Sequence, residues 1–276
     1  MEKVVLITGA NSGVGRSLAL LSASKGSSVV MVCRNRERGE KAKEDIIRLS
    51  GNNSVHLIIA DLSSLDSVKN AAKEFKSGFN NLNVLVNNAG INLPSLEITS
   101  DGYEKVFATN HLAYFYLTSL LLGVLKSSAP SRIINVSSNA QSAININDLM
   151  SEKKYYQYKV YGRSKMANVL FTYELAERLK GTGVTVNAVH PGVVKTNIYE
   201  TVHGFPRFLI GLMMPFFMSP GKSAEYIMPL MYSDEFNNVT GKYFYKTVET
   251  QTKKGSYDVD LRKKLWEVSE NLVKKN

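Results

Sequence analysis

Two tyrosine–lysine pairs with the same spacing lie close together in the chain. Tyr155 precedes Lys159 by four residues, and Tyr161 precedes Lys165 by four. Four residues make about one turn of an α-helix, so either pair can place a phenol beside an ammonium group. A nearby ammonium favours the phenolate and lowers the pKa of a phenol from about 10 towards neutral pH. Either pair therefore suits a proton donor, and either also suits a charged, aromatic helix start.

A glycine-rich stretch near the beginning of the chain suits a phosphate ligand. The stretch TGANSGVG, residues 8–15, follows an apolar run and precedes a helical stretch, with the spacing G-x-x-x-G-x-G. Glycines permit a tight turn and a close approach of the backbone to a pyrophosphate, which the N-terminus of the next helix attracts. In this position the pattern predicts a dinucleotide site rather than an ordinary turn.

The end of the second apolar run bears on the choice of dinucleotide. A site for NAD(H) favours Asp or Glu there, to accept hydrogen bonds from the ribose hydroxyls. The sequence has Cys33 and Arg34 instead, and the nearest acid is Glu37. A guanidinium group suits a 2′-phosphate, so we expect NADP(H) in preference to NAD(H). The competing interpretation is that Arg34 is a solvated loop residue. Cys33 is interpreted as a small buried strand residue.

Apolar, β-branched runs alternate with helical stretches along the chain. The predicted strands are 4–9, 28–33, 55–61, 83–90, 132–138, 184–192 and 241–246, and the predicted helices are 13–26, 36–50, 64–79, 101–127, 158–180, 220–233 and a stretch from Asp258. This alternation predicts an α/β fold, a doubly wound parallel sheet with helices on both faces and ligands at the carboxyl ends of its strands. Unusual residues fall at those ends, among them Gly9, Asp61, Asn88, Ser138 and Pro191. With no repeat or linker evident, we predict one domain over 1–276.

Composition excludes several classes of protein. The chain has 276 residues, of which 44% are hydrophobic and 21% charged, as in an ordinary soluble globule. The net charge is +10, but the basic residues are scattered, so we predict no nucleic-acid binding. No metal site is predicted either. One cysteine excludes an internal disulfide.

Location is predicted from the apolar segments. An apolar run begins at Val4, too early for a signal peptide, so none is predicted. The apolar core of 204–220 is shorter than the roughly twenty residues that span a bilayer. We therefore predict a cytoplasmic protein, with peripheral membrane contact through 204–218 as an alternative.

Several motifs, in this order and across nearly the whole chain, resemble the short-chain dehydrogenase/reductase family. They are TGANSGVG, Asp61, NNAG at 87–90, Asn110, the second serine of NVSS, YGRSK at 161–165 and PGVVKT at 191–196. The stretches YGRSKMANVLFTYELAERL and VHPGVVKT resemble most closely the branch that contains retinol dehydrogenases and related carbonyl reductases. The resemblance implies a Rossmann-like sheet of seven strands, with cofactor binding mainly in 1–138, a catalytic helix over 158–180 and a substrate lid over about 196–220.

The resemblance also decides between the two tyrosines. The Y-x-x-S-K motif of the family falls on Tyr161 and Lys165, whereas Tyr155 and Lys159 match only the spacing. Ser138 and Tyr161 are 23 positions apart, more than in many members of the family, and INDLMSEKKYYQY looks like an insertion of the retinol dehydrogenase-like branch. The implied catalytic residues are Asn110, Ser138, Tyr161 and Lys165. The implied cofactor-binding residues are Gly9, Asn11, Ser12, Gly13, Val14, Gly15, Arg34, Asp61, Leu62, Asn88, Ala89, Gly90, Tyr161, Lys165, Pro191, Val194 and Thr196.

These residue types suit the reduction of a carbonyl. Negative charge develops on the carbonyl oxygen as a hydride reaches the carbon, and Tyr161 would protonate that oxygen while Ser138 donates a hydrogen bond to it. Lys165 would lower the pKa of the tyrosine and hold the nicotinamide ribose. The resemblance implies that Asn110 kinks a helix and holds a water behind the lysine. We interpret His190 as support for a turn.

The segment after Thr196 is rich in apolar side chains: Phe205, Phe208, Leu209, Leu212, Met213, Met214, Phe216 and Phe217. Three interpretations compete, in this order: a lipophilic substrate pocket, a contact with a membrane surface, and an interface in a homo-oligomer. The leading hypothesis is an NADP(H)-dependent oxidoreductase that interconverts a carbonyl and an alcohol on a bulky, apolar, retinoid- or lipid-like substrate. One alternative is a sensor or scaffold that binds NADP(H) without turnover, against which the four catalytic residue types argue. The other is a reductase of another lipophilic substrate class.

Overall fold

The computed structural model describes residues 2–195 and 217–274. Within them one sheet has the strand order β3-β2-β1-β4-β5-β6-β7-β8. The strands are β1 Val4–Thr8, β2 Ser28–Cys33, β3 Val55–Ile59, β4 Val84–Asn87, β5 Ser131–Val136, β6 Val184–His190, β7 Lys242–Tyr245 and β8 Val248–Glu249. The first seven are parallel, and β8 pairs with β7 in the antiparallel direction. The predicted doubly wound fold is confirmed, and β8, too short to recognise in the sequence, adds a strand to the predicted seven.

Helices cover both faces of the sheet, as the nearly continuous apolar strands predict. They are α1 Gly13–Ser24, α2 Arg36–Ser50, α3 Leu65–Gly78, α4 Lys105–Phe107, α5 Ala113–Ser127, α6 Gln157–Arg178, α7 Pro220–Tyr232 and α8 Val259–Lys274. Successive side chains of a strand point to opposite faces. Val4 and Leu6 therefore pack with α3, α5, α6 and α8, whereas Val5 and Ile7 pack with α1, α2 and α7.

Several predicted strands are too long at their carboxyl ends. The ladders stop at Ile59, Asn87, Val136 and His190 instead of at 61, 90, 138 and 192. After β4 the backbone turns across the end of β1, where the N–H groups of Asn88 and Ala89 donate to the Thr8 hydroxyl at 2.9 and 3.0 Å. The residues wrongly predicted as strand are therefore those that leave the sheet and form the edge at which a ligand is expected.

The predicted helix over 101–127 begins later and is interrupted. The Glu104 carboxylate accepts hydrogen bonds from the N–H groups of Val106 and Phe107, both at 2.7 Å, and so caps α4. Residues Ala108–Leu112 then form a π-helical segment before α5. Such segments are rare and insert an extra residue into a helix, which turns a side chain away from its regular direction. Asn110 lies in the middle of this segment.

Helix α8 lies across the outer side of α5 and α6. The Trp266 ring lies 4.9 Å from the ring of Phe115 and 5.9 Å from that of Phe171. His111 Nε2 and Ser269 Oγ are 2.9 Å apart, a hydrogen bond between α8 and the π-helical segment. Helix α8 therefore supports, from behind, the two elements that carry Asn110 and Lys165.

Candidate active site

A cleft of about 440 Å³ opens at the carboxyl ends of the parallel strands. Its wall contains nearly all the predicted site residues: Gly9, Asn11, Ser12, Gly13, Val14, Arg34, Asp61, Leu62, Asn88, Ala89, Gly90, Ser138, Tyr161, Lys165, Pro191 and Val194. Gly15 and Asn110 lie behind this wall rather than in it. Thr196 lies outside the described residues. A position at the carboxyl ends of the strands is the one expected of a ligand site in such a sheet.

The glycine-rich turn between β1 and α1 forms one end of the cleft. Gly9 and Gly13 have φ angles of +68° and +54°, which side-chain-bearing residues rarely adopt. A Cβ atom on Gly15 would lie 2.4 Å from the Gly9 carbonyl oxygen, so only glycine fits there. The Ser12 side chain makes no capping hydrogen bond to α1. The N-terminus of α1 thus presents backbone N–H groups beside the cleft, an arrangement that fits a pyrophosphate.

The ends of β2 and β3 form the adjoining wall. Arg34 is exposed on the cleft rim, and Asn35 caps α2 by accepting a hydrogen bond from Arg38 N at 2.8 Å. Asp61 Oδ1 accepts hydrogen bonds from the N–H and the hydroxyl of Ser63 at 2.9 and 2.7 Å. Cys33 is buried as predicted, and burial raises the pKa of its thiol to about 11. A thiol with that pKa is unreactive at neutral pH.

The floor of the cleft is the loop that follows β4, and buried amides hold it. Asn87 Nδ2 donates to Thr118 Oγ1 and Asn135 Oδ1 at 3.0 and 2.9 Å. Asn88 Nδ2 donates to the Thr8 carbonyl oxygen at 2.8 Å. These bonds join β4 to β1, β5 and α5, so the loop has a fixed shape where it lines the cleft.

Lys165 lies at the other end of the cleft, on the first half of α6. Its ammonium is 3.2 Å from the Val136 carbonyl oxygen and 5.6 Å from the centre of the Tyr161 ring. Burial disfavours the charged form and lowers the pKa of Lys165 to about 8. Ser137 donates to the Lys165 carbonyl oxygen at 2.9 Å. The next residue, Ser138, is partly exposed to the cleft.

Asn110 connects the floor of the cleft to the helix that carries Tyr161 and Lys165. Its Oδ1 accepts from Ile91 N at 2.8 Å, and its Nδ2 donates to Ile91 O and to Ser164 Oγ, both at 2.9 Å. Ser164 Oγ in turn donates to the Tyr161 carbonyl oxygen at 2.7 Å. The location of Asn110 in the π-helical segment agrees with the predicted kink. Ser164 belongs to the Y-x-x-S-K motif, yet the predicted site omits it.

The second tyrosine pair does not reach the cleft. Tyr155 is half-buried, and its hydroxyl donates to the Leu93 carbonyl oxygen at 2.8 Å. Burial, and then the carboxylates of Glu104 and Glu97, raise the pKa of this phenol. Lys159 is exposed, with its ammonium 5.0 Å from the centre of the Tyr156 ring. Of the two pairs, only Tyr161 with Lys165 lines the cleft.

His190 belongs to the cleft wall, although the sequence indicated only support for a turn. It ends β6, directly before Pro191, and its ring centre is 5.3 Å from that of Tyr245. Burial, followed by the charges of Lys165 and Lys246, lowers the pKa of His190 to about 4. The imidazole is therefore neutral at physiological pH. Its place at the carboxyl end of a predicted strand is the signal that could have identified it.

The apolar segment leaves and rejoins the described structure at the rim of the cleft. Lys195 N donates to Met218 O at 3.0 Å, and Met218 N donates to Val193 O at 2.9 Å. Most of the predicted lid, and all its apolar residues before Phe217, lie outside the described residues. In residues 2–195 and 217–274, no helix is long and apolar enough to cross a membrane.

Comparisons with known proteins agree with this geometry. The family model for short chain dehydrogenases matches residues 3–204. Retinol dehydrogenase 14 from Homo sapiens is 42% identical, over 98% of this chain and 86% of the relative. The structure of an uncharacterised protein from Mycobacterium paratuberculosis has a TM-score of 0.80 and 30% identity, over 99% of this chain and 93% of the other. The NADP active-site complex of RhlG from Pseudomonas aeruginosa has a TM-score of 0.71 and 27% identity, over 88% and 94% of the chains.

The chain belongs to the short-chain dehydrogenase family. Within that family it falls in the branch of the retinol dehydrogenases, as the motifs indicated. It is therefore an oxidoreductase, and its glycine-rich turn and cleft fit a nicotinamide cofactor.

Proposed function

We propose that the protein is an NADP(H)-dependent oxidoreductase that interconverts a bulky, apolar carbonyl compound and its alcohol. The observation that carries this proposal is one continuous cleft with two different ends. A glycine-rich turn and a helix N-terminus form one end, and Ser138, Tyr161 and Lys165 line the other. One dinucleotide can extend between these two ends.

The residues of the cleft divide the binding of the cofactor among them. The N-terminus of α1 would hold the pyrophosphate, Asp61 the adenine, and Lys165 the hydroxyls of the nicotinamide ribose. When bound, the nicotinamide ring supplies or accepts the hydride. The resemblance assigns the nicotinamide carboxamide to Val194 and Thr196.

In the direction of reduction, the protein stabilises and then protonates the substrate oxygen. Ser138 Oγ accepts a hydrogen bond from Ala140 N at 3.1 Å, so its own proton is available to a substrate oxygen. The Tyr161 hydroxyl delivers the proton, and the Lys165 ammonium stabilises the phenolate that results. Val136 O holds the ammonium at the base of the cleft.

The preference for NADP(H) rests on Arg34 at the end of β2. Its guanidinium lies on the rim of the cleft, and the sequence has neither Asp nor Glu at that position. A planar guanidinium binds phosphate oxygens in a bidentate manner. It has no acceptor for the hydrogen bonds that the hydroxyls of an unphosphorylated ribose would donate. RhlG, which shares the fold, has been solved with NADP in its active site.

The apolar substrate is inferred from the sequence of the segment that joins Lys195 to Met218 at the cleft rim. Residues 205–217 are dominated by Phe, Leu and Met, which suit an adaptable apolar pocket. The similar proteins named retinol dehydrogenase 14 and retinol dehydrogenase 13 support the same class of substrate, since retinol is apolar. A small hydrophilic carbonyl gains little from apolar walls and leaves its hydroxyls unpaired there.

A substrate panel tests the proposal. Lipophilic and short hydroxylated aldehydes and ketones are offered with NADPH, and the loss of NADPH absorbance is followed, with Tyr161→Phe as the blank. We expect higher kcat/KM for long-chain or ring-bearing compounds, and Met213→Ser with Met214→Ser should reduce that preference while a small reactive aldehyde is still reduced. Equal activity on hydrophilic carbonyls would contradict the apolar pocket, and no turnover with any carbonyl or alcohol would contradict the proposed reaction.

A further inference from the structure

The ammonium group of Lys165 lies between two tyrosine rings. Its Nζ is 5.6 Å from the centre of the Tyr161 ring and 5.9 Å from the centre of the Tyr114 ring. Tyr161 lines the cleft, whereas Tyr114 lies on α5 with 1% of its surface exposed. Both distances are within the range of about 6 Å in which a ring face attracts a cation.

The hydroxyl of Tyr114 is committed to the floor of the cleft. It donates to the Ala89 carbonyl oxygen at 2.8 Å. Asn110, about one turn earlier in the π-helical segment that precedes α5, holds both backbone groups of Ile91. The loop from Ala89 to Ile91 is therefore clamped from below by two side chains, and Gly90 between them faces the cleft.

The lysine needs such support because it is buried as a cation. The groups that face it include the Val136 carbonyl from β5, the Tyr161 ring from α6, the Tyr114 ring from α5 and the neutral His190 from β6. Gly90 of the loop after β4 also lies beside it, since a Cβ atom there would be 3.3 Å from the lysine Nζ. A carbonyl and two ring faces are the favourable partners in this set. A ring face costs less desolvation than a carboxylate and leaves the ammonium protons directed at the cleft.

We propose that Tyr114 is a positioning residue that couples the cofactor loop to the lysine. Its hydroxyl fixes the Ala89 carbonyl and with it the shape of residues 88–90, and its ring keeps Lys165 charged and beside Tyr161. The second role rests on the proposed function, since only that reaction requires a charged lysine there. The first role concerns cofactor binding alone.

Two substitutions separate the hydroxyl from the ring. Tyr114→Phe removes the hydrogen bond to Ala89 and keeps the ring, whereas Tyr114→Leu removes both. Tyr116→Phe is the matched control, since it removes a phenol hydroxyl from the same helix outside the cleft wall. If circular dichroism shows that the Leu variant does not fold, Tyr114→Met takes its place.

Calorimetric titration with NADPH measures the first role. Loss of one hydrogen bond should raise the Kd for NADPH about fivefold in Tyr114→Phe, while Tyr116→Phe stays within about twofold of the parent protein. Equal Kd values for the parent protein and Tyr114→Phe would overturn this role of the hydroxyl.

The pH dependence of Lys165 acetylation by trace acetic anhydride, followed by mass spectrometry, measures the second role. Loss of the ring removes stabilisation of the ammonium, so the midpoint should fall by about half a pH unit in Tyr114→Leu relative to Tyr114→Phe. An identical midpoint in both variants would overturn the role of the ring. Neither measurement needs turnover, so failure of the proposed function would appear separately, as an inactive parent protein.

Discussion

The two tyrosine–lysine pairs have the same spacing and opposite surroundings. Tyr161 lies within the regular part of α6, lines the cleft, and has a buried ammonium behind it. Tyr155 precedes the first residue of that helix, and its hydroxyl is already bonded to Leu93 O. Burial, and then the nearby carboxylates, raise the pKa of Tyr155, whereas a neighbouring cation would lower it.

The difference shows that the same helical spacing can place a tyrosine and a lysine in the cleft or outside it. A tyrosine becomes a proton donor only if its hydroxyl faces a ligand and the paired lysine is held beside it. Lys165 is buried against Val136 O, while Lys159 extends into solvent. The predictions below test this contrast, from the largest expected effect to the smallest.

Replacing the cleft tyrosine should have the largest effect. Tyr161→Phe removes the proposed proton donor and keeps the ring against Lys165, so kcat should fall by about 10³-fold or more, within the range known for general acids. Cofactor binding should change little, because only a hydroxyl is lost. Steady-state kinetics and NADPH titration measure the two quantities.

Tyr155→Phe is the matched control for that experiment. It removes a phenol hydroxyl six residues earlier, outside the cleft. Its kcat should stay within about twofold of the parent value, since no step of the reaction involves it. A Tyr155→Phe variant without turnover, beside an active Tyr161→Phe, would reverse the assignment of the pair.

Replacing the lysine should reduce turnover and raise stability at the same time. Lys165→Met removes the charge that we propose stabilises the Tyr161 phenolate, so kcat should fall about 10²-fold. The pKa of Lys165 is lowered from 10.5 to about 8. Below pH 8 the folded protein therefore bears the full cost of a buried charge, which is relieved between pH 8 and 10.5 because the unfolded chain binds more protons there.

Urea unfolding at two pH values measures the effect on stability. At pH 7, Lys165→Met should be more stable than the parent protein by about 2–3 kcal/mol, and the gain should shrink towards pH 10. Lys159→Met, at the exposed pair, should change neither stability nor turnover. A Lys165→Met variant with unchanged stability at pH 7 would contradict the burial of a charged lysine.

The elements of the fold were predictable because their signals are local. Alternating apolar runs indicated the strands, and the glycines marked the turn before α1 at positions where the structure has positive φ angles. The errors have physical causes. Strand ends were placed too late because the predicted strands were extended to motif residues such as Gly90 and Ser138, whereas the ladders end three and two residues earlier, where the chain leaves the sheet.

Contacts between distant parts of the chain were not predictable from spacing. The hydrogen bond between His111 and Ser269 joins residues 158 positions apart, and Tyr114 reaches Ala89 across 25 positions. Asn110 and Tyr161 were predicted from the family resemblance, because a family motif identifies residues that come together only after folding. The resemblance did not supply Tyr114, whose surroundings become apparent only in the folded chain, or His190, for which the end of a predicted strand was the available signal.

An intermediate effect is expected at the opposite end of the cleft. Arg34→Asp replaces the cation proposed to bind the 2′-phosphate by an acceptor for ribose hydroxyls, so the ratio of kcat/KM for NADPH to that for NADH should fall by about 10- to 100-fold. Lys41→Asp makes the same change of charge on an exposed position of α2, away from the cleft wall, and should leave the ratio within about twofold. If the parent protein uses both cofactors equally, Arg34 does not select between them.

The smallest effect concerns the role that Tyr155 does have. Its hydroxyl is the donor to Leu93 O at 2.8 Å, and this bond ties the segment before α6 to the loop after β4. Tyr155→Phe leaves that carbonyl without its donor in a half-buried position, so the free energy of unfolding should fall by about 1 kcal/mol. Tyr158→Phe is the control, because Tyr158 is 51% exposed and should lose nothing measurable. Urea unfolding and turnover are measured for both variants. If the unfolding midpoint of Tyr155→Phe falls and its turnover does not, Tyr155 contributes to stability only. If unfolding is unchanged while turnover falls, Tyr155 has a part in the reaction, and the contrast between the two pairs fails.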